Sequence, residues 1–378
     1  MKRICMIRSN PVCPDSRVEK EAWSLTKAGY DVHILAWDRS GNHDEEESSI
    51  KVADVEILIT RFGHKAAFGA GMRSIVPYLS FQWSINRWLR KHRTEYDAVH
   101  ACDFDTAFFS YRYVLKEKKK FVFDIFDILV SNPDSFFRRC IFKAEHSIIP
   151  KADAVIICTE SRKSQLREYT PKKLAVIHNT PMEQMLPREG TEVFRVSGDK
   201  VKVVYVGILQ ENRMLIELLD YFKSHPEMEF HVGGFGRLEE SFIKAAQEHQ
   251  NIFFYGKIPY ENTLELENKC DIMLAIYNPA LENHRNAAPN KFYESLMLGK
   301  PVIMVKGTGM SDIVLQHGIG ELIDYSEESF SEGLERLIKN RDNWGIMSER
   351  MKELYRENYD WSEMGRRLTD LYSTLFSE

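Results

Sequence analysis

The six cysteines, at 5, 13, 102, 140, 158 and 270, include no Cys-x-x-Cys pair. That excludes the common zinc-ribbon and thioredoxin-type motifs, and four of the six sit in or beside apolar runs, as reduced core residues do. No apolar run approaches the ~18 residues that span a bilayer. The opening Met-Lys-Arg-Ile-Cys-Met-Ile-Arg has too few apolar residues before Arg8 for a secretory leader and reads as a first strand. The expected setting is cytoplasmic. Positive charge is not in excess either: the net charge of −5 argues against a nucleic-acid partner. Neither a repeat nor a long low-complexity tract is visible. Glycine is missing from the first strand-to-helix turn, between Arg8 and Arg17. A dinucleotide site needs Gly-x-Gly-x-x-Gly there for close approach to the pyrophosphate, so a nicotinamide dehydrogenase is excluded. No cluster of Asp and His with metal-ligand spacing stands out, so no metal is expected.

What is present is an ordinary globular composition, 43% hydrophobic and 28% charged, in 378 residues, enough for two or three domains. Strand patterns at 4–7, 32–36, 55–60, 98–101, 121–124, 154–158 and 174–177 alternate with helical ones at 16–28, 74–93, 106–116, 135–148 and 160–168. The acidic 44–47 stretch reads as a solvated loop. Residues 181–198 hold two prolines, two glycines and mixed charge, and read as an interdomain connection. The alternation resumes at 201 and runs to a last amphipathic helix, 362–375. The fold class is α/β, with two Rossmann-like domains, 1–185 and 199–358.

The most informative stretch is Ala288 to Val305. Pro289 suits a first helical turn, Asn290 can cap it, Gly299 stops the helix and Pro301 blocks its continuation. The apolar 301–305 run then reads as a strand buried on both faces. A helix N-terminus with Lys291 in its first turn suits a phosphate, and Glu294 can accept two hydrogen bonds from a sugar hydroxyl pair. The competing reading is a surface Lys291–Glu294 pair worth a few tenths of a kcal/mol. Earlier loops fall at strand ends too. Gly207 ends a strand, and Asn212-Arg213 opens the next helix. Gly233-Gly234-Phe235-Gly236-Arg237 reads as a glycine turn with room for a flat ring. Gly256-Lys257-Ile258 follows a third strand. In the first half, Asp15 and Arg17 lie in the glycine-free turn and Asp103 follows a strand. All are placed where a ligand meets an α/β sheet.

The order Gly207…Arg213, Gly234-Phe235-Gly236, Tyr255-Gly256, Pro289-Asn290-Lys291-x-x-Glu294, Gly299-x-Pro301 resembles the retaining GT-B glycosyltransferases of family 4. So do Asp15-Ser-Arg17, Tyr96-Asp97-Ala-Val-His100-Ala and Val176-Ile-His-Asn179. The resemblance covers nearly the whole chain. It implies two domains facing across a cleft, with the C-terminal helix, 362–378, packing back on the first, and transfer of a sugar from a nucleotide-diphosphate sugar to a glycan or lipid-linked acceptor with retention. It further implies no cofactor or metal beyond the donor. Arg213 and Lys291 would hold the diphosphate and Glu294 the ribose. The loops at 235–237 and 256–258 would frame the base, and Gly207, Asn212, Pro289 and Asn290 would line the donor pocket. Asp15, Arg17 and Asp103 would face the acceptor. Three positions depart from the family pattern. Asn286 replaces the first Glu of Glu-x7-Glu, Ile208 replaces an Arg, and Phe126 stands where a His is usual, with Asp127 as the nearest polar substitute. Capping is the competing reading of Asp124 and Asp127, and a non-catalytic GT-B partner subunit is the competing reading of the chain.

Residues 74–93 carry Tyr78, Phe81, Ile85 and Trp88 on one stripe, with Arg87, Arg90, Lys91 and Arg93 at the end. Basic and aromatic residues on one helix predict peripheral contact with the inner membrane surface. A core-packing helix with a solvated end is the alternative.

Overall fold

The computed structural model describes residues 1–43, 45–66, 74–183, 194, 196 and 198–377. The chain divides into two units, Met1–Asn179 with Ser362–Glu378, and Thr180–Trp361. The predicted connection at 181–198 lies largely outside the described residues.

The first unit holds an eight-stranded sheet in the order β3-β4-β2-β1-β5-β6-β7-β8. Its strands are β1 Arg3–Arg8, β2 Asp31–Asp38, β3 Glu46–Val52, β4 Val55–Gly63, β5 Ala98–Cys102, β6 Lys120–Ile125, β7 Ala154–Ile157 and β8 Leu174–Val176. All pairs are parallel except β3 with β4. The helices α1 Ser16–Lys27, α2 Ile75–Lys91, α3 Asp103–Lys116 and α4 Phe136–His146 connect them. The central strands are buried almost throughout, which is why they read as apolar runs rather than alternating ones. β3 corrects the acidic-loop reading: Glu46 and Glu47 begin an edge strand, and only Ile50 and Val52 turn inward. Charge on an edge strand discourages pairing with another chain. Residues 160–168 are not an α-helix; a 3₁₀ segment covers Glu160–Leu166.

In the second unit a parallel sheet runs β11-β10-β9-β12-β13-β14. Its strands are β9 Val201–Leu209, β10 Met228–Gly236, β11 Ile252–Phe254, β12 Ile272–Ala275, β13 Val302–Val305 and β14 Gly320–Ile323. Around it lie α5 Leu215–Ser224, α6 Glu239–Glu248, α7 Tyr260–Lys269, α8 Glu282–Arg285, α9 Asn290–Leu298, α10 Ser311–His317, α11 Glu327–Lys339 and α12 Trp344–Asn358. The short α8 and α10 have no counterpart in the sequence reading, because four to seven residues carry too little periodicity. The last helix, α13 Trp361–Ser377, joins the first unit from Ser362 on. Met364, Leu368, Leu371, Tyr372 and Leu375 form its buried stripe. The Tyr372 hydroxyl lies 3.0 Å from His100 Nδ1, and Arg367 donates to the Val176 carbonyl at 3.1 Å.

Candidate active site

Two glycines explain how the carboxyl edge of the second sheet is built. Gly207 does not end β9, and the glycines at 233–236 are not a turn; both stretches belong to long, paired strands, with Gly207 opposite Gly234. A Cβ on Gly234 would lie 1.9 Å from the Gly207 carbonyl oxygen, so the strands approach more closely there than any side chain allows. A Cβ on Gly207 would lie 2.7 Å from Lys291 Nζ. The lysine therefore lies across the bare backbone of β9.

Lys291 comes from the first turn of α9. Pro289 rather than Asn290 is the residue before that helix; Asn290 is already its first helical residue. Gly299 stops α9 as expected, at φ 66°, with Lys300 N–H donating back to the Ser295 carbonyl at 2.9 Å. Lys291 Nζ stands 4.9 Å above the Tyr205 ring. Burial works against its charge, but Tyr277, Tyr205, Glu294 and Glu267 together carry its pKa above the ordinary lysine value. Glu294, one turn on, is only 3% exposed, which overturns the surface-pair reading. It shares its surroundings with two groups the sequence reading missed. Glu267 on α7 is 1% exposed, and its Oε2 has no hydrogen-bond partner among the described residues. Burial, then the Glu294 charge, pushes Glu267 well above the usual carboxylate range; the same two causes raise the Tyr260 hydroxyl.

Arg213 ends a 3₁₀ turn, Glu211–Arg213, after β9. Its guanidinium carbon lies 3.6 Å from the centre of the Tyr277 ring. Arg213 Nε and Nη1, and the neighbouring Asn212 Oδ1, are buried with no hydrogen-bond partner among the described residues. Ile208 is half exposed beside them. Next to Gly207, Gly234 N–H donates to the Gly256 carbonyl at 2.7 Å, which fastens the 256–258 loop to β10. Ile258 covers Gly233. Lys257 Nζ lies 5.2 Å from the Phe235 ring, and Phe235, Gly236, Arg237 and Lys257 are exposed. Asn286 follows α8, half-buried. The structure thus gathers Gly207, Asn212, Arg213, Lys291 and Glu294 at one strand edge, with the 235–237 and 256–258 segments beside them. Tyr205 was legible only as a strand residue, and Tyr277, two residues past β12, not at all.

The first unit treats its sequence-derived residues differently. Arg17 lies inside α1, not in the turn, and is 3% exposed. It donates to Asp124 at 2.8 Å and to the Ile177 carbonyl at 2.8 Å. Asp15 caps α1 through Val18 N–H and pairs with Arg8 at 2.8 Å. Asp103 pairs with Arg8 and accepts the Phe126 and Asp127 N–H groups at 2.9 and 3.3 Å. Burial raises its pKa to about 6 against the Arg8 charge. Phe126 lies between Arg8 and Arg17, 4.3 and 4.6 Å from its ring centre. Asp124 is a buried partner of Arg17 and His100. Asp127 remains two-thirds exposed and is held at 2.5 Å by the buried Arg162. Among the described residues, His100, Cys102 and Asp124 bring possible metal-ligand atoms within 4.8 Å of one another. Asp124 there is already neutralised by Arg17.

Each of the two units matches a profile of known proteins. Residues 17–180 match the profile described as Glycosyltransferase Family 4, and residues 190–358 the profile described as Glycosyl transferases group 1. No curated protein matches the sequence. Among solved structures, a sucrose-phosphate synthase from Thermosynechococcus elongatus superimposes with a TM-score of 0.78 at 13% identity, over 100% of both chains. The Anabaena protein HepE, in complex with UDP and glucose, gives 0.72 at 12% identity over 99% of this chain and 100% of that one. The catalytic domain of starch synthase IV from Arabidopsis thaliana, bound to ADP and acarbose, gives 0.69 at 12% identity over 100% of both. The chain belongs to the group 1 glycosyltransferases of family 4, enzymes of the GT-B fold.

Proposed function

We propose that this glycosyltransferase takes its sugar from a nucleotide-diphosphate donor held at the carboxyl edge of the second sheet, and delivers it with retention to a glycan or lipid-linked acceptor. The observation that carries the donor reading is Arg213. A guanidinium with two buried nitrogens that have no hydrogen-bond partner among the described residues is costly unless an anion completes it. Lys291 and the N–H groups of α9 point to the same diphosphate. The two cations and the helix terminus offset the charge growing on the departing phosphate, so no metal or further cofactor is invoked. Glu294 takes the ribose hydroxyls, Asn286 a donor-sugar hydroxyl, and Phe235 with the 256–258 loop borders the base. None of Asn286, Phe126 and Lys291, which approach the sugar by resemblance, is a carboxylate. The acceptor then attacks from the leaving-group face, and the phosphate oxygen takes its proton. Asp15, Arg17, Asp103 and Asp127 belong to the acceptor side, Arg17 as the buried partner of Asp124. A thermal-shift panel of UDP, GDP, dTDP and ADP tests the donor reading. One of them should raise the melting temperature and its nucleoside should do so far less; no shift with any of the four would instead favour the non-catalytic partner subunit.

The partner we propose on the acceptor side is an anionic lipid surface on the cytoplasmic side. Ile75, Val76, Leu79 and Trp83 are 46%, 74%, 46% and 64% exposed on α2. Arg87 and Arg90 continue the same face, Arg87 lying 4.8 Å from the Trp83 ring. An exposed apolar patch running into basic residues fits the headgroup boundary of a bilayer. Among the described residues no helix is long and apolar enough to cross a membrane.

A further inference from the structure

A cation that must grip a diphosphate has to be held still before the ligand arrives. A carboxylate would hold it, but would also occupy its N–H donors and cancel its charge. The face of an aromatic ring attracts a cation without consuming any donor. Both cations of this site rest on tyrosine rings. Arg213 stacks on Tyr277 at 3.6 Å, and Lys291 stands over Tyr205 at 4.9 Å. Both rings are anchored from behind. The Tyr205 hydroxyl donates to the Ile208 carbonyl at 3.0 Å, and Tyr277 packs edge-on against His284, 5.2 Å between ring centres. His284 in turn lies with Nδ1 3.0 Å from the Asn278 carbonyl. Tyr277 lies two residues beyond Ala275, the buried end of β12. Arg213, by contrast, sits on a three-residue 3₁₀ turn that ends in a left-handed Met214 (φ 56°).

We propose that Tyr277, with Tyr205, is a positioning residue: the two rings fix Arg213 and Lys291 by their faces and leave the cations' N–H donors free for the diphosphate. This rests on the donor reading above. It also accounts for how a site with Ile208 in place of a second arginine keeps a rigid pair of cations.

The test compares binding of the tightest nucleoside diphosphate among UDP, GDP, dTDP and ADP with that of its own nucleoside, measured by calorimetry or by competition. Tyr277→Phe and Tyr205→Phe keep the rings and should bind diphosphate within about twofold of the parent. Tyr277→Leu should weaken diphosphate binding roughly 5- to 30-fold, the range expected for losing a desolvated cation–π contact, and leave nucleoside binding unchanged. Stepwise fluorination of a phenylalanine at 277 preserves shape and drains charge from the ring face, so diphosphate affinity should fall with each fluorine even if the leucine variant folds poorly. Equal losses for nucleoside and diphosphate, or a flat fluorination series, would overturn the tyrosine proposal. Arg213→Ala and Lys291→Ala separate the two levels. If neither weakens diphosphate binding, the donor reading itself is wrong. If both do and the 277 series does nothing, only the role of the ring is wrong.

Discussion

Replacing Lys291 or Arg213 by alanine removes one charge-assisted contact of about 1.5–3 kcal/mol to the proposed diphosphate. Each should weaken nucleoside-diphosphate binding by roughly 10- to 150-fold and leave the free nucleoside almost unaffected, a contrast that isothermal titration resolves. Glu294→Gln should weaken both ligands, since the ribose is common to them. Loss confined to the diphosphate would remove Glu294 from the ribose. Asp127 separates the routes of transfer. Front-face attack predicts that Asp127→Ala slows turnover modestly and that mass spectrometry finds no sugar attached to Asp127; abolished turnover with intact donor binding and an adduct there would establish a covalent route. The residues bearing charge at the helix start, Lys291 and Glu294, were legible because Pro289, the Gly299 stop and the spacing all constrain that helix. Tyr277 and Glu267 were not. A tyrosine two residues past a buried strand looks like core, and a glutamate in a helix looks solvated until its neighbours are known. Arg17 failed in the opposite sense: it sits among polar residues in the sequence, and only the fold shows that Asp124 and the Ile177 carbonyl enclose it.

At the scale of elements, α2 shows why a stripe of aromatics is ambiguous. Phe81, Ile85 and Trp88, with the half-buried Tyr78, face the core, whereas the exposed apolar face is the one made by Ile75, Val76, Leu79 and Trp83. Both faces are apolar, so periodicity alone could not choose between them. The membrane proposal therefore transfers to the second stripe. Each Lys or Arg near an anionic surface contributes about 1 kcal/mol. Co-sedimentation with vesicles containing anionic lipid should fall when Arg87, Arg90 and Lys91 become serine, fall with added salt, and fall separately for Trp83→Ser. Vesicles of neutral lipid should bind weakly throughout. If the parent protein stays in the supernatant with anionic vesicles at low salt, the exposed stripe has another occupant. The glycines of β9 and β10 teach a related lesson. Gly-Gly-x-Gly looks like a turn, but a parallel strand pair needs the same residues where two backbones crowd, and the register between strands is not written in either strand alone.

For the whole molecule, two rounds of strand–helix alternation were legible because both sheets are parallel and their strands are buried on both faces. The return of 362–377 to the first unit follows from the matching of its stripe to that unit's core, which no local pattern encodes. That unit carries four groups whose shifts bear on the pH response. Burial holds His33 down to about 4 and His178 to about 3, so both fold as neutral groups. Their contribution is complete above the unfolded histidine value near 6.5 and is lost as pH falls through 6.5 towards 4. Burial raises Glu145 to about 7, partly opposed by the Leu129 and Val130 N–H groups, with its Oε2 unpartnered among the described residues; Asp103 rises to about 6. For these acids the folded state holds the extra proton, so stability falls as pH rises from about 4.5 to 7. At about 1.4 kcal/mol per unit, His33 and Glu145 each contribute as much as ~3 kcal/mol, with opposite signs over the same window. The parent protein should therefore show a shallow change in melting temperature between pH 5 and 7. Glu145→Gln removes one arm and should make the protein lose stability on acidification more steeply than the parent. His33→Gln removes the other and should make acidification less damaging than in the parent. At about 2–4 °C per kcal/mol for units of this size, the two variants should diverge by several degrees at pH 5 once aligned at pH 7.5. Parallel curves for parent and both variants would mean that neither group keeps its shifted protonation in the folded chain.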